Sequence, residues 1–272
     1  MYQDDQLYHY GIKGMKWGVR RFQNKDGSLT NAGKMRYYAE PNKTIKQNSD
    51  GSKTIPKGYM FNRVSKSTSI DPNQGGSLYV SSGKDDASRY IKNLGPTPIR
   101  NLLFKNEIGT VIQHIEVKSN LKLASDEQTV TESAKLLLSN DKLLEKFNKS
   151  LYSSVASGDL EKDISRNDLE QAVKNPKSKE AVKIGYSLNS LLADPNYTNE
   201  AKIVYDHFRL QGYDAIPDIH DTLSGTSKTA TIIINPDKVK VKSHTVLSKD
   251  VVKAGRDHVK TLEKLKVDDL IK

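Results

Sequence analysis

The sequence contains no cysteine, and this absence removes disulfides, thiolate metal ligands and cysteine nucleophiles together. It also lacks long apolar runs. Its longest aliphatic stretches, at residues 136–138 and 232–234, fall far short of the roughly 20 residues that cross a bilayer. The first residues form neither a basic region nor an apolar region, so we do not expect a secretory signal peptide. We therefore expect a soluble chain without membrane contact, made in a cytoplasm.

The charge of the chain is unevenly distributed. The formal net charge is +10, and residues 1–66 carry 13 Lys and Arg against 5 Asp and Glu, whereas the rest carries 30 against 28. A nearly neutral body argues against a nucleic-acid binder that uses the whole molecule. The basic front segment remains open to nucleic acid or to an acidic protein surface.

Composition and turn signals divide the chain into three parts. Residues 1–57 form a basic leader or docking segment, residues 58–248 a folded body, and residues 249–272 an amphipathic helix. In the body, strands precede and follow a helical insert at about 126–198, and this order predicts an α+β fold. The predicted strands cover residues 59–64, 77–81, 99–104, 110–117, 229–235 and 239–245. The predicted helices cover residues 86–94, 131–140, 142–151, 167–174, 179–192 and 199–211.

The leader contains one dense block, residues 7–21, with the single Trp of the chain, three glycines and four Lys or Arg. Aromatic rings interleaved with cations can fill the pocket of a partner protein, or they can stack on bases while the cations hold phosphates. We favour docking on a protein and keep nucleic acid as the weaker alternative. The candidate docking residues are Tyr8, His9, Tyr10, Trp17, Arg20 and Arg21.

The body contains three groups of residues with chemical potential. Arg63 lies inside an apolar strand, where a charge is costly unless it is paired or faces a cleft or solvent. Hydroxyl groups cluster around a predicted helix start, at Tyr79, Ser81, Ser82 and Tyr90. A third group combines acids with one histidine, at Asp214, Asp218, His220 and Asp221. Asp is common in turns, and a single His among loop aspartates is weak evidence for a metal, so we expect no metal site.

Taken in order, these pieces resemble ADP-ribosyltransferase-like domains, which are common among bacterial toxins and tailed-phage proteins. The resemblance consists of the strand arginine, the motif Gly-x-Leu-Tyr-Val-Ser, a Glu-Val-Lys strand followed by Leu-Lys-Leu-Ala, and Gly-Tyr-Asp-Ala-Ile before Ile-Ile-Asn-Pro-Asp. The leader is similar to a His-x-Gly-Ile-Lys-Gly-Met-Lys-Trp-Gly-Val-Arg-Arg segment of head-associated proteins from phages and prophages of Gram-positive bacteria. Together the resemblances cover residues 7–38, 58–125 and 200–245.

The resemblance implies a split β-sheet core with a helical insertion, and NAD as a substrate without a metal. Arg63 would contact the NAD phosphates or ribose, Ser81 or Ser82 would support the nicotinamide ribose, and Tyr79 or Tyr90 would stack on the nicotinamide ring. Family enzymes also need a carboxylate, normally Glu, on a late strand. Residues 228–231 read Lys-Thr-Ala-Thr and contain no Glu. The candidate replacements are Asp214, Asp218 and Asp221.

Two functions from different classes follow. The first is a phage-encoded mono-ADP-ribosyltransferase that modifies a host macromolecule and docks on a capsid or other virion protein through its leader, in the virion or the host cytoplasm. The alternative is a non-catalytic virion structural or interaction protein anchored by the same leader, with Arg63 facing solvent. The convergence of Arg63, Ser81, Tyr90 and one of the aspartates on a single cleft would favour the enzyme.

Overall fold

The computed structural model describes residues 43–65, 67–83, 86, 90, 111–153 and 163–246. The chain divides into two compact units, Met1–Glu40 and Pro41–Lys272, and every described residue belongs to the second. The docking residues predicted in the leader, the strand predicted at 99–104 and the helix expected over 249–272 lie outside the described residues.

The described strands form two sheets. The six-stranded sheet has the order β1-β2-β6-β7-β8-β4, in which β6 and β7 run parallel and the other neighbours antiparallel. The three-stranded antiparallel sheet has the order β3-β5-β9. In chain order the strands are β1 (Lys46–Gln47), β2 (Lys53–Ile55), β3 (Met60–Ser65), β4 (Leu78–Val80), β5 (Val111–Val117), β6 (Leu121–Leu123), β7 (Ala215–Pro217), β8 (Thr231–Ile233) and β9 (Val239–Val246).

Six α-helices lie between β6 and β8 in the described part of the chain. Two of them begin with a capping box, in which a serine and the residue three positions later satisfy free backbone N–H groups: Ser125 with Gln128, and Ser165 with Asp168. The helices are α1 (Asp126–Ser139), α2 (Asp141–Ser153), α3 (Arg166–Lys174), α4 (Lys179–Leu192), α5 (Thr198–Leu210) and α6 (Ile219–Leu223). No described helix is long and apolar enough to span a membrane.

The core consists of two apolar clusters on opposite faces of the six-stranded sheet. Ile216 and Ile232 pack among the helices, whereas Ala215 and Ile233 pack against the three-stranded sheet. Successive residues of a strand point to opposite faces, so a strand covered on both sides must be apolar at every position. The uninterrupted apolar run at residues 232–234 has this cause, and the described residues form three layers: helices, six-stranded sheet and three-stranded sheet.

The predicted α+β class is confirmed, and the helices of the insert fall where the apolar spacing placed them. The boundary of the leader needs correction. Residues assigned to it, 46–55, form β1 and β2, and Ile55 is fully buried opposite Leu121 of β6. The Lys-rich composition of this hairpin conceals it, because its lysines lie on exposed positions while Ile55 enters the core.

The two sheets come together at one point that matters for the site. Asn62 of β3 and Ser81, just after β4, exchange backbone hydrogen bonds with N···O distances of 2.7 and 3.0 Å. Beyond this bridge the sheets separate, so β3 belongs to one sheet and β4 to the other.

Candidate functional site

A cleft of about 400 Å³ opens where the two sheets separate. Its walls come from β3, β4, α4 and the start of α6, so the helical insert closes a space that the strands open. The volume is within the range of small-molecule sites, roughly 300–1,000 Å³. Five residues predicted from the sequence line it together: Arg63, Tyr79, Tyr90, Asp218 and Asp221.

Arg63 is held in the cleft by neutral partners. Its Nη2 donates to Asn73 Oδ1 at 2.8 Å, and its Nη1 lies 3.4 Å from Gln113 Oε1. Gln113 is fully buried, and its Nε2 donates to the main-chain oxygens of Ser67 and Ser69. Burial lowers the pKa of Arg63, against which Asp71 acts, yet no described carboxylate lies within ion-pair distance of the guanidinium. Among the described residues, the guanidinium thus has only neutral hydrogen-bond partners.

Two carboxyl groups face this arginine's cleft from the start of α6. Asp218 caps the helix, since its Oδ1 accepts the Asp221 N–H at 3.1 Å, and only 3% of Asp218 is exposed. Burial, with the neighbouring Asp221 carboxylate, raises the pKa of Asp218 to about 7. Asp221 accepts a hydrogen bond of 2.7 Å from the Tyr90 hydroxyl. The pair thus combines a carboxyl that stays protonated in mild acid with a carboxylate that is held as an acceptor.

His220 lies between these two acids in sequence and completes the cluster. Its Nδ1 is 3.3 Å from Asp221 Oδ1, and its ring contacts that of Tyr186 at a centroid distance of 4.6 Å, with the two planes tilted by 41°. One ligand atom each from Asp218, His220 and Asp221 lie within 4.8 Å of one another, a spacing that a cation can bridge. The hydrogen bonds just described account for this closeness, so we interpret the cluster as an acid–base group.

The tyrosines of the cleft stay neutral at physiological pH. Burial raises the pKa of Tyr79 well above its ordinary value, and the Tyr79 hydroxyl lies 3.4 Å from that of Tyr205. Burial also raises the pKa of Tyr205 to about 12, and burial with the Asp221 charge raises the pKa of Tyr90. The rings of Tyr79 and Tyr90, which line the cleft, are therefore uncharged, and the Tyr90 hydroxyl acts as a donor to Asp221.

Two predicted serines do not line the cleft. Ser81 is buried beside it, where its backbone forms the bridge between the sheets, and its hydroxyl finds no hydrogen-bond partner within the described residues. Ser82 Oγ accepts a hydrogen bond of 2.8 Å from the Tyr59 hydroxyl. The sequence could not separate these serines from cleft residues, because both directly follow Tyr79 and Val80, which do line it.

Asp214 lies outside the cleft and joins chain segments instead. Its carboxylate accepts the Lys122 N–H at 3.0 Å and the Asn235 side-chain amide at 2.6 Å, and Lys238 Nζ lies at 2.8 Å. Asp214 precedes β7 and Asp218 follows it, so the strand places the two acids at opposite ends. The assignment of Asp214 as a candidate catalytic residue is therefore not supported by its position.

Three asparagines of the cleft were missed in the sequence: Asn62, Asn73 and Asn189. Asn62 Oδ1 contacts the ring of buried His114 at 2.9 Å, and Asn73 holds Arg63. Asn189 lies on α4, in a segment whose helical apolar spacing suggested only packing. Asparagine is common on surfaces and in turns, so nothing in the sequence distinguishes these three.

A buried network supports one rim of the cleft. The Asp86 carboxylate accepts hydrogen bonds from the Gly83 N–H at 3.0 Å, from Ser227 Oγ at 2.5 Å and from Thr229 Oγ1 at 2.9 Å. It therefore links the loop after β4 to the segment before β8. The Asp86 position was predicted as a helix start, and its carboxylate has this additional structural role.

Comparison with known proteins gives one match. Residues 2–24, which include the aromatic and basic block of the leader, match a family described as a family of unknown function (DUF7211). No curated protein and no solved structure matches the chain.

Proposed function

We propose that the cleft binds NAD and that the protein is an ADP-ribosyltransferase-like enzyme with a split β-sheet core. The observation that carries this proposal is the convergence of Arg63, Tyr79, Tyr90 and the Asp218–Asp221 pair on one cleft of about 400 Å³. This volume suits the nicotinamide, its ribose and the adjacent phosphate.

Each group of residues has a place in NAD binding. The guanidinium of Arg63, which has no carboxylate partner among the described residues, matches a phosphate through paired N–H donors. The uncharged rings of Tyr79 and Tyr90 flank the nicotinamide. The acid pair at the start of α6 faces the ribose and accepts a hydrogen bond from its 2′-hydroxyl.

The reaction breaks the bond between ribose C1′ and the nicotinamide nitrogen. Nicotinamide leaves as a neutral molecule with the bonding electron pair, and the ribose passes through an oxocarbenium-like transition state. A carboxylate of the pair stabilises that positive charge, and the acceptor nucleophile forms the new bond at C1′ while its proton passes to the second carboxylate. Because both acids lie at the start of α6, they reach the ribose from this helix rather than from a late strand.

The leader would direct this activity. We propose that residues 2–24 dock on a capsid or other virion protein of a bacteriophage and that the acceptor of ADP-ribose is a host macromolecule in the bacterial cytoplasm. The aromatic and basic character of the segment supports docking on a protein, and nucleic acid remains the weaker alternative partner.

A second candidate is a non-catalytic virion interaction protein with the same fold. Specific observations favour it: Asp218 caps α6, and Asp221 holds Tyr90, so both acids have structural duties. In that case the cleft residues stabilise the domain, and the leader alone carries the function.

NAD binding and nicotinamide release distinguish these candidates. We expect titration calorimetry to show saturable NAD binding that is about 10- to 100-fold weaker in Arg63→Ala, because a charged hydrogen-bonded contact is lost. Chromatography should show nicotinamide release by the wild type and not by this variant. Arg166→Ala is the matched control, since Arg166 is exposed on α3 and pairs with Asp141. Absence of binding at millimolar NAD, or equal binding by Arg63→Ala, contradicts the proposal.

A further inference from the structure

Lysines from three separate parts of the chain meet at one end of the three-stranded sheet. Lys43 Nζ donates to the main-chain oxygen of Lys57 at 2.8 Å, and the Lys57 N–H donates to Asn120 Oδ1 at 2.9 Å. Asn120 lies in the turn between β5 and β6, and in the same turn the Lys118 N–H donates to the main-chain oxygen of Lys238 at 2.8 Å. Five exposed lysines define this surface, which we name the lysine corner: Lys43, Lys57, Lys118, Lys240 and Lys242.

The lysine corner and the cleft lie at opposite ends of β3. Lys57 precedes this strand, whereas Arg63 lies near its other end and lines the cleft. Lys240, at the start of β9, pairs with Glu116 at the end of β5, and Glu116 also lies opposite Met60, the first residue of β3. The lysine corner is therefore separate from the candidate site.

Most of the charge of the lysine corner is not neutralised within the described part of the chain. None of the carboxylates described there lies within ion-pair distance of Lys43, Lys57 or Lys118. The other two members share a single carboxylate, that of Glu116, at 3.2 and 4.0 Å. The exposed acid Asp237 lies near them in sequence, so the surface keeps a clear excess of positive charge.

The positive charge of the front segment is largely a property of the folded body. Residues 43–66 carry six Lys and Arg against one Asp, and most of them belong to β1, β2 and β3. The long stretches outside the described residues, 1–42, 91–110 and 247–272, each carry more Lys and Arg than Asp and Glu. None of these stretches offers a complementary net charge, so the complement of the lysine corner has to come from another molecule.

We propose that the lysine corner binds the phosphate backbone of double-stranded nucleic acid without reading its sequence. Phosphate contacts require cations alone, and Lys supplies a point charge that fixes no base identity. This proposal does not rest on the proposed function, because it uses no residue of the cleft.

The side chains of the lysine corner favour a duplex over other anionic partners. Protein interfaces are depleted in Lys and anchored by Tyr, Trp and Arg, single strands stack their bases on aromatic rings, and amphipathic membrane surfaces expose apolar side chains. The neighbouring rings of Tyr59 and Phe61 are buried. The large apolar side chains that are exposed in the described part of the chain lie on the helices or at the far end of β9: Val182, Ile203, Leu210, Leu223 and Val246.

The test measures binding of the full chain to a fluorescein-labelled DNA duplex of about 20 base pairs by anisotropy, between about 50 and 200 mM NaCl. We expect equal affinity for two unrelated sequences and a steep fall of affinity with salt. The combined variant Lys43→Gln, Lys57→Gln and Lys118→Gln should reduce the slope of log affinity against log salt concentration by about 2 to 3, and the affinity at about 50 mM salt at least about tenfold. Lys118→Gln alone should reduce this slope by about 1, which keeps the test valid if the combined variant does not fold.

The matched control removes the same charge from the helical layer. Lys142, Lys146 and Lys174 are exposed on α2 and α3, and their combined replacement by Gln should leave the slope unchanged. Equal losses in the two combined variants would show that only the net charge matters, and the proposal would be wrong.

The remaining outcomes are also decisive. Binding that survives in the lysine-corner variants but is lost in Arg20→Gln with Arg21→Gln would assign nucleic acid to the leader instead. Polyglutamate or phosphatidylserine vesicles that bind the lysine corner as tightly as the duplex would replace nucleic acid by an acidic protein or a membrane as its partner. Absence of duplex binding at about 100 μM protein in about 50 mM salt would also overturn the proposal. The proposed function of the cleft is unaffected by each of these results.

Discussion

Replacement of Asp218 by Asn removes a titrating group from the cleft and keeps the cap of α6. Asn and Asp are equally good at the first position of a helix, so the side-chain oxygen can still accept the Asp221 N–H. The change therefore isolates the proton equilibrium of one buried carboxyl. Charged and polar groups around it are Asp221 and His220 on α6, with Tyr79, Tyr90 and Tyr205 on the facing elements.

The magnitude follows from the pKa of Asp218 in the two states. Burial raises this pKa from its ordinary 3.8 to about 7 in the folded protein. At a pH between these two pKa values, Asp218 has lost its proton in the unfolded chain but keeps it in the folded protein. The folded state therefore becomes less stable as the pH rises. The interval spans about three pH units at ~1.4 kcal/mol each, which gives roughly 4 kcal/mol. This loss in the free energy of unfolding is complete above about pH 7 and absent below about pH 4.

Urea denaturation of the wild type and Asp218→Asn from pH 4 to pH 8 measures this difference. Groups that do not interact with Asp218 contribute equally to both chains, and the free energy of unfolding of the wild type should fall relative to that of the variant by up to roughly 4 kcal/mol. Asp237→Asn is the control, because Asp237 is exposed, and its profile should follow that of the wild type. A difference that stays constant within about 1 kcal/mol across this range would refute the reasoning.

Two further predictions concern the effect on stability of residues that do not line the cleft. Asp214→Ala removes the acceptor shared by the Lys122 N–H, the Asn235 side-chain amide and the Lys238 ammonium group. The free energy of unfolding from urea denaturation should therefore fall by on the order of 3 kcal/mol, with NAD affinity unchanged. A fall below about 1 kcal/mol contradicts this prediction. Gly75→Ala places a Cβ 2.7 Å from the Tyr205 ring at a φ of +65°, and should cost on the order of 2 kcal/mol. Gly225→Ala has a similar φ but open space, so equal losses in the two variants would exclude the clash.

The sequence predicted much of the fold because its apolar periodicity is strong. The helices of the insert, from Asp126 to Leu192, and the strand around Arg63 appear at their predicted places. The hairpin β1–β2 was missed because a two-residue strand and a three-residue strand with exposed lysines have too few apolar positions to give a pattern. Its pairing with β6 is a tertiary contact between distant segments.

The candidate site was predictable in its charged residues and its tyrosines, and not in its asparagines. Arg63 and Asp218 are conspicuous because charge is rare next to buried strands. Asp214 could not be separated from Asp218, since only the position of β7 shows that they lie at opposite strand ends. Asn189 gave no signal at all, because the missing partner of its oxygen is visible only once the surrounding side chains are placed.

The backbone bridge between Asn62 and Ser81 has a consequence for recognition. Arg63 belongs to one sheet and Tyr79 to the other. The fit of a ligand that contacts both residues therefore depends on how the two sheets are placed as well as on the residues themselves. Phe61 and Leu78 pack in the apolar cluster between the two sheets, and neither of them lines the cleft. We therefore expect substitutions in this cluster to change the width of the cleft without altering any residue that lines it.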